Sequence, residues 1–305
     1  MQWGQIKLLF ILSFLILDLF LLQQFLSKQQ QDALGQISTV AEDIETELEN
    51  ADVTIAEGAI PEDVPSIPSL KSKGNAVPEE ILAQVEGLDE STQEISIEDQ
   101  ALKVTLDEPV EVTEDTLVGE VSSLVPFSSQ YSYWGWNKEE GVALFFQKVN
   151  DQTIYFNSGG YLLVTIADGK ITGYVATLLT FPEGESIVED SSQSGEMNRP
   201  WSAIENLYDY GLIRSGDEVT SMNIGYHTSY DLGLDVENAP QYFAPTWKVT
   251  INGERDLFLY AFTGTVAEVK ESSFIEDILN KHQLKPEESL NEDSSTEESN
   301  NSETN

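Results

Sequence analysis

The 305-residue sequence contains no cysteine and few bases, with 15 lysines and arginines beside 54 aspartates and glutamates. The absence of cysteine excludes disulfide bonds, thiol catalysis and cysteine-ligated metals. The formal net charge of −39 predicts a surface that repels the phosphates of nucleic acids and anionic lipid headgroups. We therefore expect no nucleic acid among the partners of this chain.

Common catalytic motifs are also missing, since we find no GxSxG, HExxH, Walker A, GxGxxG or EF-hand pattern. The two histidines, His227 and His282, are far apart, and neither has a second histidine at metal-ligand spacing. A glycosidase needs two carboxylates on opposite sides of a cleft, and the sequence does not reveal such a cleft. Neighbouring acids are no evidence for it, because pairs of acids arise by chance in so acidic a chain. The sequence predicts a protein that is not an enzyme and that has no cofactor and no metal site.

One long apolar run is present, Ile6 to Leu26, and its only acid is Asp18. As a helix this run spans about 30 Å, the thickness of the hydrocarbon core of a bilayer. It is longer than the apolar region of a signal peptide, and no small-residue cleavage site follows it. We predict a single transmembrane helix at 6–26 that acts as an uncleaved signal anchor. The head, residues 1–5, would be cytoplasmic, and the folded mass beyond the helix would be extracellular.

Asp18 would lie about 12 Å from the nearer end of this helix, well inside the lipid. An ionisable group at that depth costs at least a few kcal/mol unless it is protonated or paired, so it is a candidate contact with a partner helix. It would either meet a positive charge or donate a hydrogen bond while neutral, and a tolerated acid without a partner is the alternative interpretation. Its neighbours on the same helix face, which would share the contact, are Ile11, Phe14, Leu15, Leu21, Leu22 and Phe25.

Beyond the anchor, composition divides the chain at about residue 118. Residues 29–117 are acidic and contain no phenylalanine, tyrosine or tryptophan, whereas aromatic residues are frequent afterwards. We predict a small α+β subdomain at 27–118. Its predicted elements are a helix with Val40, Ile44 and Leu48 on one stripe, a short helix opened by Pro78, and strands at 53–55 and 102–106.

Turn dipeptides that accept positive φ angles predict three hairpins in the second subdomain, 119–285. They are Asn150-Asp151, Asp168-Gly169 and Asn252-Gly253. The segment Arg199-Pro200-Trp201 opens a helix whose shared face holds Trp201, Ile204, Tyr208 and Leu212. Helices and hairpins together indicate an α+β fold, an antiparallel sheet with a helix packed on one face. Residues 286–305 are polar and acidic, which predicts a disordered tail.

Two sequence segments resemble the YycI (WalI) family. One is Trp3-Gly4-Gln5-Ile6-Lys7 with the run from Phe14 to Leu22, which includes Asp18. The other is Ala244-Pro245-Thr246-Trp247-Lys248-Val249 with Ile251-Asn252-Gly253 and Ala261-Phe262-Thr263-Gly264.

The resemblance implies a single-pass regulator of Gram-positive bacteria. Such a protein acts with a YycH-type companion in the membrane on the WalK (YycG) sensor histidine kinase, which controls cell-wall metabolism through the response regulator WalR. It also implies an extracellular domain similar to that of YycH, without catalytic residues. Two other functions stay open: a membrane-tethered cell-wall hydrolase, and a tethered protease inhibitor or chaperone of PepSY type, which the hairpin ending in Thr263-Gly264 suggests.

Overall fold

The structure is a computed structural model that describes residues 44–61, 67–75, 77, 81, 83–84, 93–98, 100–182, 197–228 and 240–284, with positions 14, 15, 17, 18 and 22 near the N-terminus. These residues form mainly antiparallel β-sheets with a few helices, which agrees with the predicted α+β class. The predicted acidic tail and most of the predicted anchor lie outside the described residues.

The strands, in chain order, are β1 Thr54–Ile55, β2 Leu70–Lys71, β3 Gly74–Asn75, β4 Gln93–Glu98, β5 Ala101–Glu111, β6 Tyr131–Asn137, β7 Val142–Val149, β8 Gln152–Thr153, β9 Tyr161–Ala167, β10 Lys170–Thr177, β11 Leu179–Thr180, β12 Glu218–Thr228, β13 Tyr242–Ile251, β14 Arg255–Tyr260 and β15 Val266–Ala267. The helices are α1 Leu117–Leu124, α2 Pro200–Asp209 and α3 Glu271–Lys281. Residues 44–50, 81 and 83–84 are also helical. The predicted strands at 53–55 and 102–106 are confirmed by β1 and β5.

The contacts of the chain define two compact units, each assembled from three segments. The first unit comprises Met1–Ile67, Gln193–Ile224 and Thr246–Ala267, and the second comprises Pro68–Ser192, Gly225–Pro245 and Glu268–Asn305. The linear subdomains predicted from composition, 27–118 and 119–285, divide the chain differently. The reason is that β5 pairs with β10 in one sheet, although a long stretch of sequence separates them.

The second unit contains a seven-stranded sheet. Six of its strands follow the order β4-β5-β10-β9-β7-β6, and the seventh, β8, pairs with β7. All neighbouring strands are antiparallel. Two of the predicted hairpins lie here. Asn150 and Asp151 have φ angles of 51° and 63° between β7 and β8, and Asp168 and Gly169 have φ angles of 50° and 72° between β9 and β10. Both turns adopt the left-handed backbone that these dipeptides predict.

Helices cover both faces of this sheet. Phe145 of β7 belongs to the buried cluster that holds Leu117 and Val121 of α1. The ring of the next residue, Phe146, lies 5.9 Å from the ring of Phe274 in α3. Because successive residues of a strand point to opposite faces, α1 and α3 cover opposite sides. The sequence predicts a helix on one face of the sheet, and the second helical layer is therefore a finding of the structure.

In the first unit, β1 runs parallel to the beginning of β12, and the end of β13 forms an antiparallel hairpin with β14, which pairs with β15. Asn252 and Gly253, with φ angles of 57° and 73°, turn this hairpin as predicted. The core contains Trp247, which is fully buried and donates its indole N–H to the carbonyl oxygen of Asn198 at 2.9 Å. The indole polar group is thereby satisfied where water is excluded.

Helix α2 begins with Pro200 at its first position, where a missing N–H costs nothing. It ends in a Schellman motif, since Leu212 N–H bonds the carbonyl of Leu207 and Gly211 has a φ of 68°. Of the predicted face, Ile204 is fully buried, whereas Trp201, Tyr208 and Leu212 are partly buried against the cluster. The centre of the buried face is Ala203, Ile204 and Leu207.

Candidate functional site

The predicted partner surface around Asp18 is partly described by the structure. Its described members, all helical, are Phe14, Leu15, Asp18 and Leu22. Residues three or four positions apart in a helix lie on the same side, so these four share one face. The other predicted members, Ile11, Leu21 and Phe25, lie outside the described residues.

The described members of this surface are exposed. Phe14 is 61% exposed, Leu15 53% and Leu22 54%, and Asp18 is exposed between them. Contiguous exposed apolar side chains are uncommon on soluble monomers and mark sites of contact with a partner or with lipid. In the part of the chain that the structure describes, no helix combines the length and the hydropathy that a membrane crossing requires. The transmembrane helix and its contacts remain predictions.

The chemistry of the surface follows from its composition. Phe14, Leu15 and Leu22 offer no hydrogen-bond donor to the carboxyl group of Asp18. In an apolar environment a carboxylate is costly unless it is paired, and a protonated carboxyl group still requires an acceptor. None of these three apolar side chains can satisfy the carboxyl group of Asp18 away from water.

The two histidines lie in different elements, one in a strand and one at the end of a helix. His227 lies in β12, and its Nδ1 is 3.1 Å from the carbonyl oxygen of Thr228. Burial lowers the pKa of His227, and the hydrogen bond with Thr228 only partly opposes that shift. His282 is the residue that caps the C-terminus of α3, and it is buried, 6% exposed. Among the described residues, no group of three or more His, Asp or Glu side chains is placed to hold a metal ion.

Sequence reasoning missed a set of polar contacts that fasten α3 to the sheet of the second unit. At the start of α3, the indole N–H of Trp134 donates to Oε2 of Glu271 at 2.9 Å. At its end, the hydroxyl group of Tyr161 lies 2.8 Å from Nε2 of His282, and Nζ of Lys103 donates to the carbonyl oxygen of His282 at 3.1 Å. Because each pair joins residues more than a hundred positions apart, no local pattern in the sequence indicates them.

The solved structures to which this chain is similar include two of low sequence identity. The C-terminal domain of Bacillus megaterium YpeB matches with a TM-score of 0.36 and 12% identity, over 65% of this chain and 98% of that domain. YycH from Bacillus subtilis matches with a TM-score of 0.34 and 10% identity, over 68% of this chain and 54% of YycH. No sequence among curated proteins matches this chain significantly.

The comparison with protein families gives a match over most of the chain. The model described as "YycI protein" aligns with residues 31–262. This range includes parts of both compact units and all three predicted hairpins, and it begins after the predicted anchor and ends before α3. The chain belongs to the YycI family.

Proposed function

We propose that this chain is an accessory regulator of a WalK-type sensor histidine kinase that controls cell-wall metabolism. The helix at 6–26 anchors it in the cell membrane as a single-pass protein, with the N-terminus in the cytoplasm and the remaining chain outside. It acts without catalysis, through contacts with the transmembrane helices of the kinase and of a YycH-type companion. Membership of the YycI family supports the assignment to this regulatory system.

The observation that carries the proposed mechanism is the helix face on which Asp18 lies among Phe14, Leu15 and Leu22. A carboxyl group in lipid is energetically unfavourable, and such groups generally face another helix or a water-filled cavity. Hydrogen bonds between transmembrane helices contribute about 0.6 to 2 kcal/mol each. One polar contact of that size, combined with close apolar packing, is sufficient to bias a helix association without a large interface.

The acidity of the chain supports a location outside the cytoplasm and away from nucleic acid. The formal net charge is −39, and the only ionisable side chains in the first 28 residues are Lys7, Asp18 and Lys28. The long acidic part therefore begins after the anchor. The absence of cysteine is compatible with export from a Gram-positive cell, in which folded extracellular domains do not depend on disulfide bonds.

Co-purification from detergent tests this function. The full-length chain, the kinase and the YycH-type protein are expressed together, and each is quantified after affinity capture of the chain. We expect both partners to be recovered with the native anchor and to be lost when residues 6–26 are replaced by a polyleucine helix of equal length. This control keeps the extracellular part and the membrane insertion unchanged. Recovery of the kinase in equal amounts with both anchors would refute a mechanism based on this helix.

A further inference from the structure

The two edges of the seven-stranded sheet differ in regularity. Strand β6, at one edge, has a register shift against β7 between Tyr133 and Gly135, which marks a bulge. Strand β4, at the other edge, pairs with β5 in unbroken register from Gln93 to Glu98. Bulges, prolines and charged side chains are the usual features that keep an edge strand from pairing with another chain. Strand β4 contains no bulge and no proline, and its charged residues, Glu94 and Glu98, lie on one side only. Among the described residues, β4 pairs with β5 alone.

The apolar side of β4 continues the core of the second unit to the surface. Ile95 lies opposite Val104 and Ile97 opposite Leu102, and both of these partners are buried in the core. Residues directly opposite in an antiparallel pair share one face, so the two isoleucines lie on the core side. Ile95 is partly buried against the core, whereas Ile97 is 51% exposed. An added strand would cover Ile97.

The other side of β4 is acidic. Glu94, Ser96 and Glu98 alternate with the isoleucines, and both glutamates are exposed. Neither glutamate belongs to an ion pair among the described residues. In the part of the chain that the structure describes, this edge therefore presents backbone groups without a strand partner, an apolar side, and a side with two exposed carboxylates outside any ion pair.

This charge pattern selects the partner. If a second copy of the chain added its own β4 in antiparallel register centred on Ser96, Glu94 of each copy would lie directly opposite Glu98 of the other. Like charges in that position destabilise a strand pair, and the net charge of −39 adds general repulsion between copies. An extended segment with apolar residues on one side and lysine or arginine on the other complements the backbone groups, the apolar side and the acidic side of β4.

We propose that β4 is a docking edge that accepts an extended segment of a basic partner protein by β-strand addition. Backbone hydrogen bonds would hold the added strand, its apolar side chains would cover Ile97, and its basic side chains would pair with Glu94 and Glu98. This site lies outside the membrane anchor, so it goes beyond the proposed function, and its test does not depend on the kinase.

The test is binding of a labelled peptide of about six residues, the common strand length, with alternating valine and lysine. Fluorescence anisotropy is measured with the full-length chain in detergent at physiological ionic strength. We expect saturable binding that N-methylation of alternate peptide amides abolishes, since this change removes backbone donors and leaves the charges intact. We expect the double variant Glu94→Lys/Glu98→Lys to bind about tenfold more weakly than the native chain.

The matched control is Glu139→Lys/Glu140→Lys, which changes the net charge equally at exposed residues between β6 and β7. It should bind the peptide as the native chain does. A peptide with glutamate in place of lysine should bind Glu94→Lys/Glu98→Lys better than it binds the native chain. Binding that tolerates N-methylation, or an equal loss in both double variants, would show general attraction to an acidic surface and would overturn the proposal.

Discussion

The hydroxyl group of Tyr161 in β9 lies 2.8 Å from Nε2 of His282, the residue that follows α3, although 121 positions separate the two in the sequence. Both side chains are buried, and the Tyr161 ring also lies edge-on to the ring of Phe274, with 5.9 Å between the centroids. Burial raises the pKa of Tyr161, so its hydroxyl group stays protonated in the physiological range. This pair fixes the end of α3 on the sheet.

We predict that Tyr161→Phe destabilises the protein, because it removes this buried hydrogen bond while it preserves the ring. The loss should be about 1 kcal/mol, or about 2 to 4 °C in the midpoint of thermal unfolding of the segment from residue 30 onwards. Tyr210→Phe is the control, since Tyr210 is 57% exposed. Equal midpoints for the two variants would mean that the contact between Tyr161 and His282 does not stabilise the fold.

A second prediction concerns Gly173 in β10, where the register against β5 and β9 shifts between Ile171 and Gly173. A Cβ atom at this position would clash with the carbonyl oxygen of Val104, a backbone atom that cannot move aside as the end of a flexible side chain can. Gly173→Ala should therefore displace β5 from β10 and lower the free energy of unfolding by about 1 to 3 kcal/mol.

Gly119→Ala is the matched control for this substitution. Gly119 lies in α1, and outside the backbone of that helix no described atom lies within 4 Å of an added Cβ. Alanine there should stabilise the protein by about 0.5 to 1 kcal/mol, because glycine is a poor helix former. Chemical denaturation measures both changes. An unchanged free energy of unfolding in Gly173→Ala would contradict the close packing of β5 on β10.

The turns of this fold were predictable because their chemistry is local. Asn150-Asp151, Asp168-Gly169 and Asn252-Gly253 specify left-handed backbone within two residues, and all three adopt it. Pro200 likewise marks the beginning of α2, as predicted. The pairing of β5 with β10 and the contact between Tyr161 and His282 depend on which distant segments meet, and neither a period nor a dipeptide encodes that. Composition therefore predicted a division at residue 118 that differs from the division by contacts.

A third prediction concerns the acid sensitivity of the turn at Asp217. Its carboxylate accepts hydrogen bonds from the Arg214 N–H at 2.9 Å, from Asn252 Nδ2 at 3.0 Å and from Arg255, whose guanidinium nitrogen lies 2.7 Å away. Partial desolvation is the largest single influence and raises the pKa of Asp217, but the hydrogen bonds and the Arg255 charge together outweigh it and leave the pKa below its usual value.

A lowered pKa in the folded state means that the unfolded chain takes up the proton first as the pH falls. The stabilisation by Asp217 is therefore complete above its ordinary pKa of about 3.9 and disappears as the pH falls through the lower value of the folded protein. Asp217→Asn should lower the free energy of unfolding by about 0.5 to 1 kcal/mol at pH 7. The difference from the native chain should become progressively smaller below about pH 4. Urea unfolding at several pH values measures the difference, with Asp107→Asn, an exposed aspartate of β5, as the control. A constant difference across this pH range would be incompatible with ionised Asp217 as the cause.

A fourth prediction separates the regulator from the alternative functions of a hydrolase and a protease inhibitor. The segment from residue 30 onwards, incubated with purified cell wall, should release no sugar, and it should not inhibit secreted proteases. Its unfolding midpoint should be unchanged by a chelator, because no catalytic or metal-ligand motif is present in the sequence. Sugar release by the purified segment, abolished by substitution of one carboxylate, would establish the hydrolase instead.

We propose that Asp18 contributes to the contact with partner helices. Co-purification of the full-length chain with the kinase and the YycH-type protein, compared among the native chain, Asp18→Asn and Asp18→Leu, tests it most directly. Ile16→Ala is the control, since position 16 lies about 160° around a helix from position 18. We predict reduced recovery of partners with leucine and normal recovery with the control. Asparagine should retain much of the recovery if Asp18 donates a hydrogen bond while neutral, and lose it if a positive charge is the partner. Equal recovery of the kinase with aspartate, asparagine and leucine would show that Asp18 takes no part in the contact.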